Sequence, residues 1–231
     1  MIVAGHQPNY LPWLGFFDKM LQCDVFIIED CVQFEKRGFT NRNKIKTFEG
    51  VKWLTVPVKH TKTPLPIDRV RIFNGPDCHW AKQHWLILKH SYSRAPFWRK
   101  YRLFFEQIYE KKWTRLIDLN MHLIKGLMKF LGINKPLVLA SSLDVSGKKS
   151  ELVLGQCKAL GATTLFSGVG AREYLNLRRF KEEGINVVFQ NFRYPVYPQV
   201  TGEFTPNLSV VDYLFWNGAK IWRSENMLLK R

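Results

Sequence analysis

The most constraining feature of the sequence is an alternation of strand, polar turn and helix between residues 135 and 190. Apolar runs at 136–140, 163–166 and 185–190 have the length of buried strands. Between them the pattern predicts helices, one over 151–160 and another that ends near residue 184. Strands that alternate with helices usually pair in parallel, because each helix supplies the crossover. The sequence therefore predicts an α/β fold with a Rossmann-like, mostly parallel sheet.

The first twenty residues predict one more strand, followed by a polar turn and a helix. Residues 2–4 are apolar, and the turn after them contains His6, Gln7, Asn9 and Tyr10. Ligands of open α/β sheets bind at such turns, and the amides of the next helix favour an anion such as phosphate. We expect His6 to act as a general acid/base or phosphate ligand, because its unperturbed pKa is near 6.5. Gln7, Asn9 and Tyr10 are expected to orient the substrate.

A polar, basic segment at residues 32–44 leads into a predicted β-hairpin that turns near residues 49–50. Arg37 and Arg42 suit a bidentate grip on phosphate or carboxylate. Asn41 and Asn43 flank Arg42 and can both donate and accept hydrogen bonds. The alternative is an edge hairpin whose basic side chains only prevent further strand pairing.

Acidic and basic side chains also follow two other predicted strands. The strand at 24–28 ends in Glu29 and Asp30, which either bind a substrate hydroxyl or amine or start a solvated loop. We expect Asp30 and Asp144 to bind hydroxyl groups or an attacking amine. Lys148 and Lys149 lie at the start of a predicted helix and are expected to clamp phosphate. Their spacing does not match the GxxxxGK[ST] loop.

The middle of the chain predicts helices, and we divide the chain on that basis. Residues 75–133 form a helical insertion, while 1–74 and 134–231 form the α/β core of a single domain with a further strand over 65–73. His84 shares a helix face with Trp80 and is a candidate substrate-binding residue. His79 and His90 lie five and six residues from His84, not the four that place two metal ligands on one helix face, so no metal site is predicted.

Composition limits the class of protein. The 231 residues include 35 Lys and Arg against 19 Asp and Glu, a formal net charge of +16. This charge would suit nucleic acid, an acidic membrane surface or phosphorylated small molecules. Nucleic acid is disfavoured, because the basic residues are dispersed and no reader motif is recognisable. We expect a cytoplasmic protein, because no membrane span or signal peptide is recognisable and the four cysteines form no CxxC pair.

Long segments of the chain resemble the WbqC-like family in the right order. They include HQPNYLPWLGFFDKM, VQFEKRGFTNRNKI and WLTVPV in the first part of the chain. Later matches are SSLDVSGKKSE, LGATTLFSGVGAREYL and FTPNLSVVDYLF. Together with the strand at 24–30, these segments extend the resemblance along nearly the whole chain.

The resemblance implies a cytoplasmic role in bacterial surface polysaccharide biosynthesis, such as O-antigen or capsule. We expect a transferase or ligase that modifies a nucleotide-activated sugar by attaching an aminoacyl or acyl group to an amino sugar. The expected partner is this phosphate-bearing small molecule, with peripheral contact of the basic surface with the inner membrane as a further expectation. The sequence identifies no cofactor. The alternative is a non-enzymatic basic binding module for nucleic acid or an acidic surface.

Overall fold

The computed structural model of the protein describes residues 1–220 and residue 222. Its strands are β1 (Ile2–His6), β2 (Val25–Ile28), β3 (Arg42–Thr47), β4 (Gly50–Thr55), β5 (Leu137–Leu139), β6 (Thr164–Ser167) and β7 (Asn186–Phe189). Five of them form one sheet in the order β5-β2-β1-β6-β7, and every neighbouring pair is parallel. The predicted α/β fold with a parallel sheet is therefore confirmed.

Helices cover both faces of this sheet. They are α1 (Leu14–Leu21), α2 (Trp80–Tyr92), α3 (Trp98–Glu110), α4 (Leu116–Phe130), α5 (Lys149–Ala159), α6 (Leu177–Glu182) and α7 (Val210–Asn217). Successive strand residues point to opposite faces. Thus Ala4 and Phe26 pack in a cluster with α1 and the middle helices, whereas Val3 and Ile27 pack with α5 and α6. This arrangement gives three layers, with the sheet in the middle.

The predicted hairpin is confirmed, with β3 antiparallel to β4 in a separate two-stranded sheet. The predicted strand over 65–73 is wrong. A 3-10 turn at Ile67–Arg69 occupies this segment, and only isolated bridges join the segment to its neighbours, such as Val58 to Ile72 and Arg71 to Arg115. Pro66, at the start of the turn, has no amide hydrogen to donate to a ladder.

The helices α2, α3 and α4 fall within the predicted insertion at 75–133. Their buried residues share one hydrophobic cluster with α1, α7 and the sheet, so the insertion and the sheet are joined by a common core. The division of the chain into core and insertion stays a prediction, and residues 221 and 223–231 of the predicted core lie outside the described residues.

The segment after β7 crosses the molecule without regular structure until α7 begins. Trp13 stacks on Tyr194 of this segment, with ring centroids 5.8 Å apart. Ser209 caps α7 by accepting a hydrogen bond from the amide of Val211 at 3.2 Å. In the part of the chain that the structure describes, no helix is both long and apolar enough to cross a bilayer.

Candidate functional site

The strand order reverses direction at β1, and we call the region between the carboxyl ends of β1 and β6 the crevice. The chain places β2 and β5 on one side of β1 and places β6 and β7 on the other. The register of β1 with β2 extends from Val3 to His6, whereas its register with β6 stops at Val3. The carboxyl ends of β1 and β6 are therefore not paired with each other. Ligands of doubly wound sheets bind at this topological switch point.

Lys19 of α1 points into this crevice. The residue is only 4 % exposed, and its Nζ donates one long hydrogen bond, 3.4 Å, to the carbonyl oxygen of Gly5 in β1. On the other side lies Gly168, which follows β6. A Cβ atom at Gly168 would lie 3.3 Å from Nζ, so the glycine leaves room for the ammonium group. Burial lowers the pKa of Lys19 to about 8.

Glu29 lies at the end of β2 beside the same crevice. Its Oε2 accepts a hydrogen bond from Gln156 of α5 at 2.9 Å. Its Oε1 lies 2.8 Å from the position that a Cβ atom at Gly5 would take, so a side chain at Gly5 would displace the carboxylate. Burial raises the pKa of Glu29, and Lys19 opposes that shift.

His6 ends β1, where its ring packs edge-on against Phe16 with centroids 5.2 Å apart. Burial, and secondarily the charge of Lys19, lowers the pKa of His6 to about 3, so the imidazole is neutral near pH 7. Nδ1 lies 2.9 Å from the carbonyl oxygen of Gln7, which can only accept a hydrogen bond. Nδ1 therefore carries the proton, and Nε2 is left as an acceptor or base.

The basic segment before β3 is held against the turn that follows β1. Thr40 donates from its hydroxyl to Oε1 of Gln7 at 3.2 Å. The amide of Asn120, in α4, donates to the carbonyl oxygens of Pro8 and Thr40, both at 2.7 Å. Asn120 is fully buried, so α4 positions both parts of the candidate site.

Arg42 lies on the outer face of the hairpin. Its guanidinium lies 4.4 Å from the ring centroid of Trp53 and donates a hydrogen bond to the carbonyl oxygen of Arg37. Arg37 itself is exposed and has a positive φ of 67°. Both arginines thus lie at the surface of the segment that packs on the turn.

The asparagines expected to bind substrate are buried within this framework. Asn41 donates to the carbonyl oxygen of Val56 at 2.8 Å. Asn43 donates to the carbonyl oxygen of Leu11 at 2.7 Å. These two bonds fasten the hairpin. Asn9 is 2 % exposed.

Tyr10 and His84 lie together in the interior, away from solvent. The Tyr10 hydroxyl lies 2.9 Å from Nδ1 of His84 and 2.6 Å from the hydroxyl of Tyr109. Because Tyr10 is fully buried and His84 nearly so, these contacts join the turn to α2 and α3. The structure supports a role for both residues in holding the turn, and it gives neither residue access to a ligand.

Asp30 is also occupied by the protein. Its two carboxylate oxygens accept hydrogen bonds from the amide and the hydroxyl of Ser141, at 2.9 and 2.6 Å. These bonds join the ends of β2 and β5, so Asp30 fixes the edge of the sheet beside Glu29.

The structure does not bring Asp144, Lys148 and Lys149 to the crevice. Asp144 is exposed and lines a shallow cavity with Lys158, near the end of α5. Lys148 and Lys149 are exposed at the start of α5, about 10 Å along the helix from Gln156 at a rise of ~1.5 Å per residue.

Sequence reasoning missed Lys19 and Asn120 and left Glu29 open. Within residues 1–220 and 222, no group of three His, Cys, Asp or Glu side chains could hold a metal ion. Cys23 and Cys157 are buried free thiols, whereas Cys31 and Cys78 are only half-buried.

Comparison with known proteins gives two matches. The model of the WbqC-like protein family matches residues 7–223. An uncharacterized protein of Mycobacterium tuberculosis is 37% identical over 225 residues, which cover 94% of each chain. No solved structure matches the chain.

Proposed function

The chain belongs to the WbqC-like protein family, and from that premise we propose that it is a transferase or ligase acting on a nucleotide-activated sugar. The reaction attaches an aminoacyl or acyl group to an amino sugar during bacterial surface polysaccharide biosynthesis, such as that of O-antigen or capsule. We place this reaction in the cytoplasm, where nucleotide-activated sugars are the phosphate-bearing substrates.

One observation carries the proposal, the meeting of a base, a cation and a carboxylate at the switch point of a doubly wound sheet. His6, Lys19 and Glu29 reach this crevice from β1, α1 and the end of β2. A nucleotide-activated sugar needs both a phosphate site and a site for its hydroxyl or amino groups. The crevice has a cation for the first and neutral or acidic acceptors for the second.

The proposed chemistry uses His6 as the base. The amine nitrogen of the sugar attacks the carbonyl carbon of an activated acyl donor, and a C–N bond forms. The bond from that carbon to its leaving group breaks, and the leaving group departs with the electron pair. The amine proton passes to Nε2 of His6, the nitrogen that the Gln7 hydrogen bond leaves unprotonated. Arg42 and Arg37, which lie at the surface, hold a phosphate group of the nucleotide-activated sugar, and Gln7 orients this ligand.

The first test measures thermal stability against a panel of nucleotide-sugars, ATP, coenzyme A and amino acids. A ligand at about 100 times its dissociation constant stabilises the fold by about 2.7 kcal/mol. For a chain of this length we expect a rise in Tm of about 5 to 10 °C with one nucleotide-sugar. His6→Ala and Arg42→Ala should keep the fold and lose this rise.

Lys158→Ala is a matched control, because its ammonium is exposed and pairs with Glu183 far from the crevice. It should keep the full response to the nucleotide-sugar. If no nucleotide-sugar changes Tm, or if His6→Ala responds as the wild type does, the proposal is wrong.

A second candidate is a non-enzymatic basic module that binds nucleic acid or an acidic surface such as the inner membrane. One observation favours it, a shallow surface cleft lined by Lys59, Arg71 and Lys112. Binding of this kind weakens steeply as salt rises, because counterions are released from the polyanion. A Tm rise with duplex DNA alone, erased by salt, would support this candidate over the enzyme.

A further inference from the structure

Lys19 has an ammonium group that the protein itself does not neutralise. Lys19 is only 4% exposed, yet Nζ makes a single hydrogen bond, which is 3.4 Å long and goes to the carbonyl oxygen of Gly5. An ammonium group carries three N–H donors. No ion pair among the described residues includes Lys19. A buried charge with no counter-charge is costly, so its retention needs a reason.

Glu29, the carboxylate near Lys19, is hydrogen-bonded to another residue. Glu29 is the only carboxylate that raises the pKa of Lys19 among the described residues, and the effect is small beside burial. Its Oε2 faces Gln156 on the opposite face of the sheet, while Oε1 lies over Gly5. The carboxylate therefore lies near Lys19 without forming an ion pair.

Nζ lies where the paired part of β1 and β6 ends. It donates to the carbonyl oxygen of Gly5, and a Cβ atom at Gly168 would lie 3.3 Å from it. The register between β1 and β6 ends at Val3, so no ladder joins the two strands beyond that point. Unused N–H donors thus lie at the end of a buried side chain, beside unpaired strand ends.

We propose that Lys19 binds an oxyanion of the ligand, a phosphate or a carboxylate group, in the crevice between β1 and β6. This inference deepens the proposed function and rests on it for the crevice as the ligand site, but its test requires only that an oxyanion enters, whichever molecule carries it. The oxyanion forms the ion pair that Glu29 does not form, and it accepts hydrogen bonds from the free N–H donors of Lys19.

The test is the stability of Lys19→Met with and without inorganic pyrophosphate or glucuronate. Methionine has a similar length and no charge, so it removes the buried charge without leaving a large cavity. We expect the unliganded variant to melt about 2 to 4 °C above the wild type. Both probes at millimolar concentration should bind it roughly 10- to 100-fold more weakly than the wild type.

The two probes distinguish the sources of the oxyanion. A Lys19-dependent response to pyrophosphate alone identifies a phosphate site, and one to glucuronate alone identifies a carboxylate site. Lys125→Met is the matched control, because Lys125 is exposed on α4 and its replacement changes the net charge equally. It should keep both the wild-type Tm and the wild-type response.

Other results would overturn the inference. A lower Tm for unliganded Lys19→Met would show that the ammonium stabilises the fold. An absent response of the wild type to both probes, or an equal response of the two proteins, would show that Lys19 holds no oxyanion. Because neither probe contains a nucleotide-sugar, these outcomes do not depend on the panel that tests the proposed function.

Binding should also depend on pH. The titratable groups that face Lys19 are His6 from β1, Glu29 from β2 and Cys23 after α1, while β6 contributes only Gly168. Near pH 8 the imidazole is neutral and the thiol is protonated, because their pKa values are about 3 and about 12. Lys19, with a pKa of about 8, is the group that changes. Affinity for glucuronate, whose carboxylate keeps a constant charge in this range, should therefore fall as pH rises above 8, approaching tenfold per pH unit.

Discussion

Replacing Asp212 with alanine is expected to lower the free energy of unfolding by about 4 kcal/mol. Asp212 is fully buried in α7 and accepts hydrogen bonds from Tyr92 at 2.7 Å, Tyr197 at 2.9 Å and Gln199 at 3.1 Å. Its removal leaves these donors buried and without their acceptor. Urea unfolding would measure the loss. The slope of the free energy of unfolding against urea concentration should stay unchanged.

The loss should be large because a buried cation belongs to the same network. Lys46 of β3 is 5 % exposed and donates to Oε1 of Gln199 at 3.2 Å and to the carbonyl oxygen of Glu203. Burial raises the pKa of Asp212, while its hydrogen bonds and the charge of Lys46 oppose that shift. Without Asp212, the ammonium of Lys46 loses its nearby counter-charge.

Two variants separate this explanation from a general effect of removing an aspartate. Asp212→Asn keeps an acceptor oxygen and should cost about half as much. Asp118→Ala removes an exposed carboxylate that pairs with Arg115 at 2.7 Å, and it should cost less than about 1 kcal/mol. If Asp118→Ala and Asp212→Ala cost the same, the buried network contributes nothing of its own.

The network explains how distant segments frame the candidate site. It fastens the segment after β7 and α7 to α2 and to β3, which lies directly after the basic segment that packs on the Gln7 turn. The C-terminal third of the chain therefore stabilises the hairpin that presents Arg42.

The sequence was sufficient to predict the sheet, the hairpin and the place of His6. Short apolar runs indicate buried strands, and apolar residues spaced three or four apart indicate helices. The two patterns differ because a helix buries one face, whereas a central strand is buried on both. The position of His6 follows from the same pattern, since the residue after an apolar strand and before a helix must lie at the carboxyl edge.

Lys19 was not predictable in the same way. In the sequence it is a charge on a short helix, where a solvated position is usual. Its burial depends on Gly168 and on the crevice beside β6, which come from a segment about 150 residues later. Local periodicity contains no information about such a contact.

The burial of Tyr10 and His84 was not predictable for the same reason, because it depends on contacts between distant segments of the chain. A polar turn at a strand end suggests accessible side chains, but Tyr109 from the insertion covers Tyr10 and bonds to it. Asp144 lies away from the crevice for another reason, because the chain after β5 returns along α5, where Val145 packs against Gly155. The order of elements was predictable, whereas the path of a loop between them was not.

Mild acid should destabilise the protein strongly, through two histidines that are neutral in the folded state. Burial lowers the pKa of His6 to about 3 and that of His84 to about 4. In the unfolded chain both return to about 6.5. Between these values the unfolded state binds more protons, so stability is complete above pH 6.5 and falls as pH decreases. By pH 4 each histidine should cost about 3 kcal/mol, seen in urea unfolding at a series of pH values.

Substitutions isolate the histidines from other titrating groups. Glu29 and Asp212 have raised pKa values, so their protonation in the folded state opposes the loss. Comparing variants with the wild type cancels this contribution. His84→Gln should remove about 3 kcal/mol of the fall between pH 6.5 and 4, and His6→Gln a similar amount. His60→Gln is the control for replacing an imidazole, since His60 is exposed. Equal profiles for all three variants would mean that neither imidazole resists protonation in the folded state.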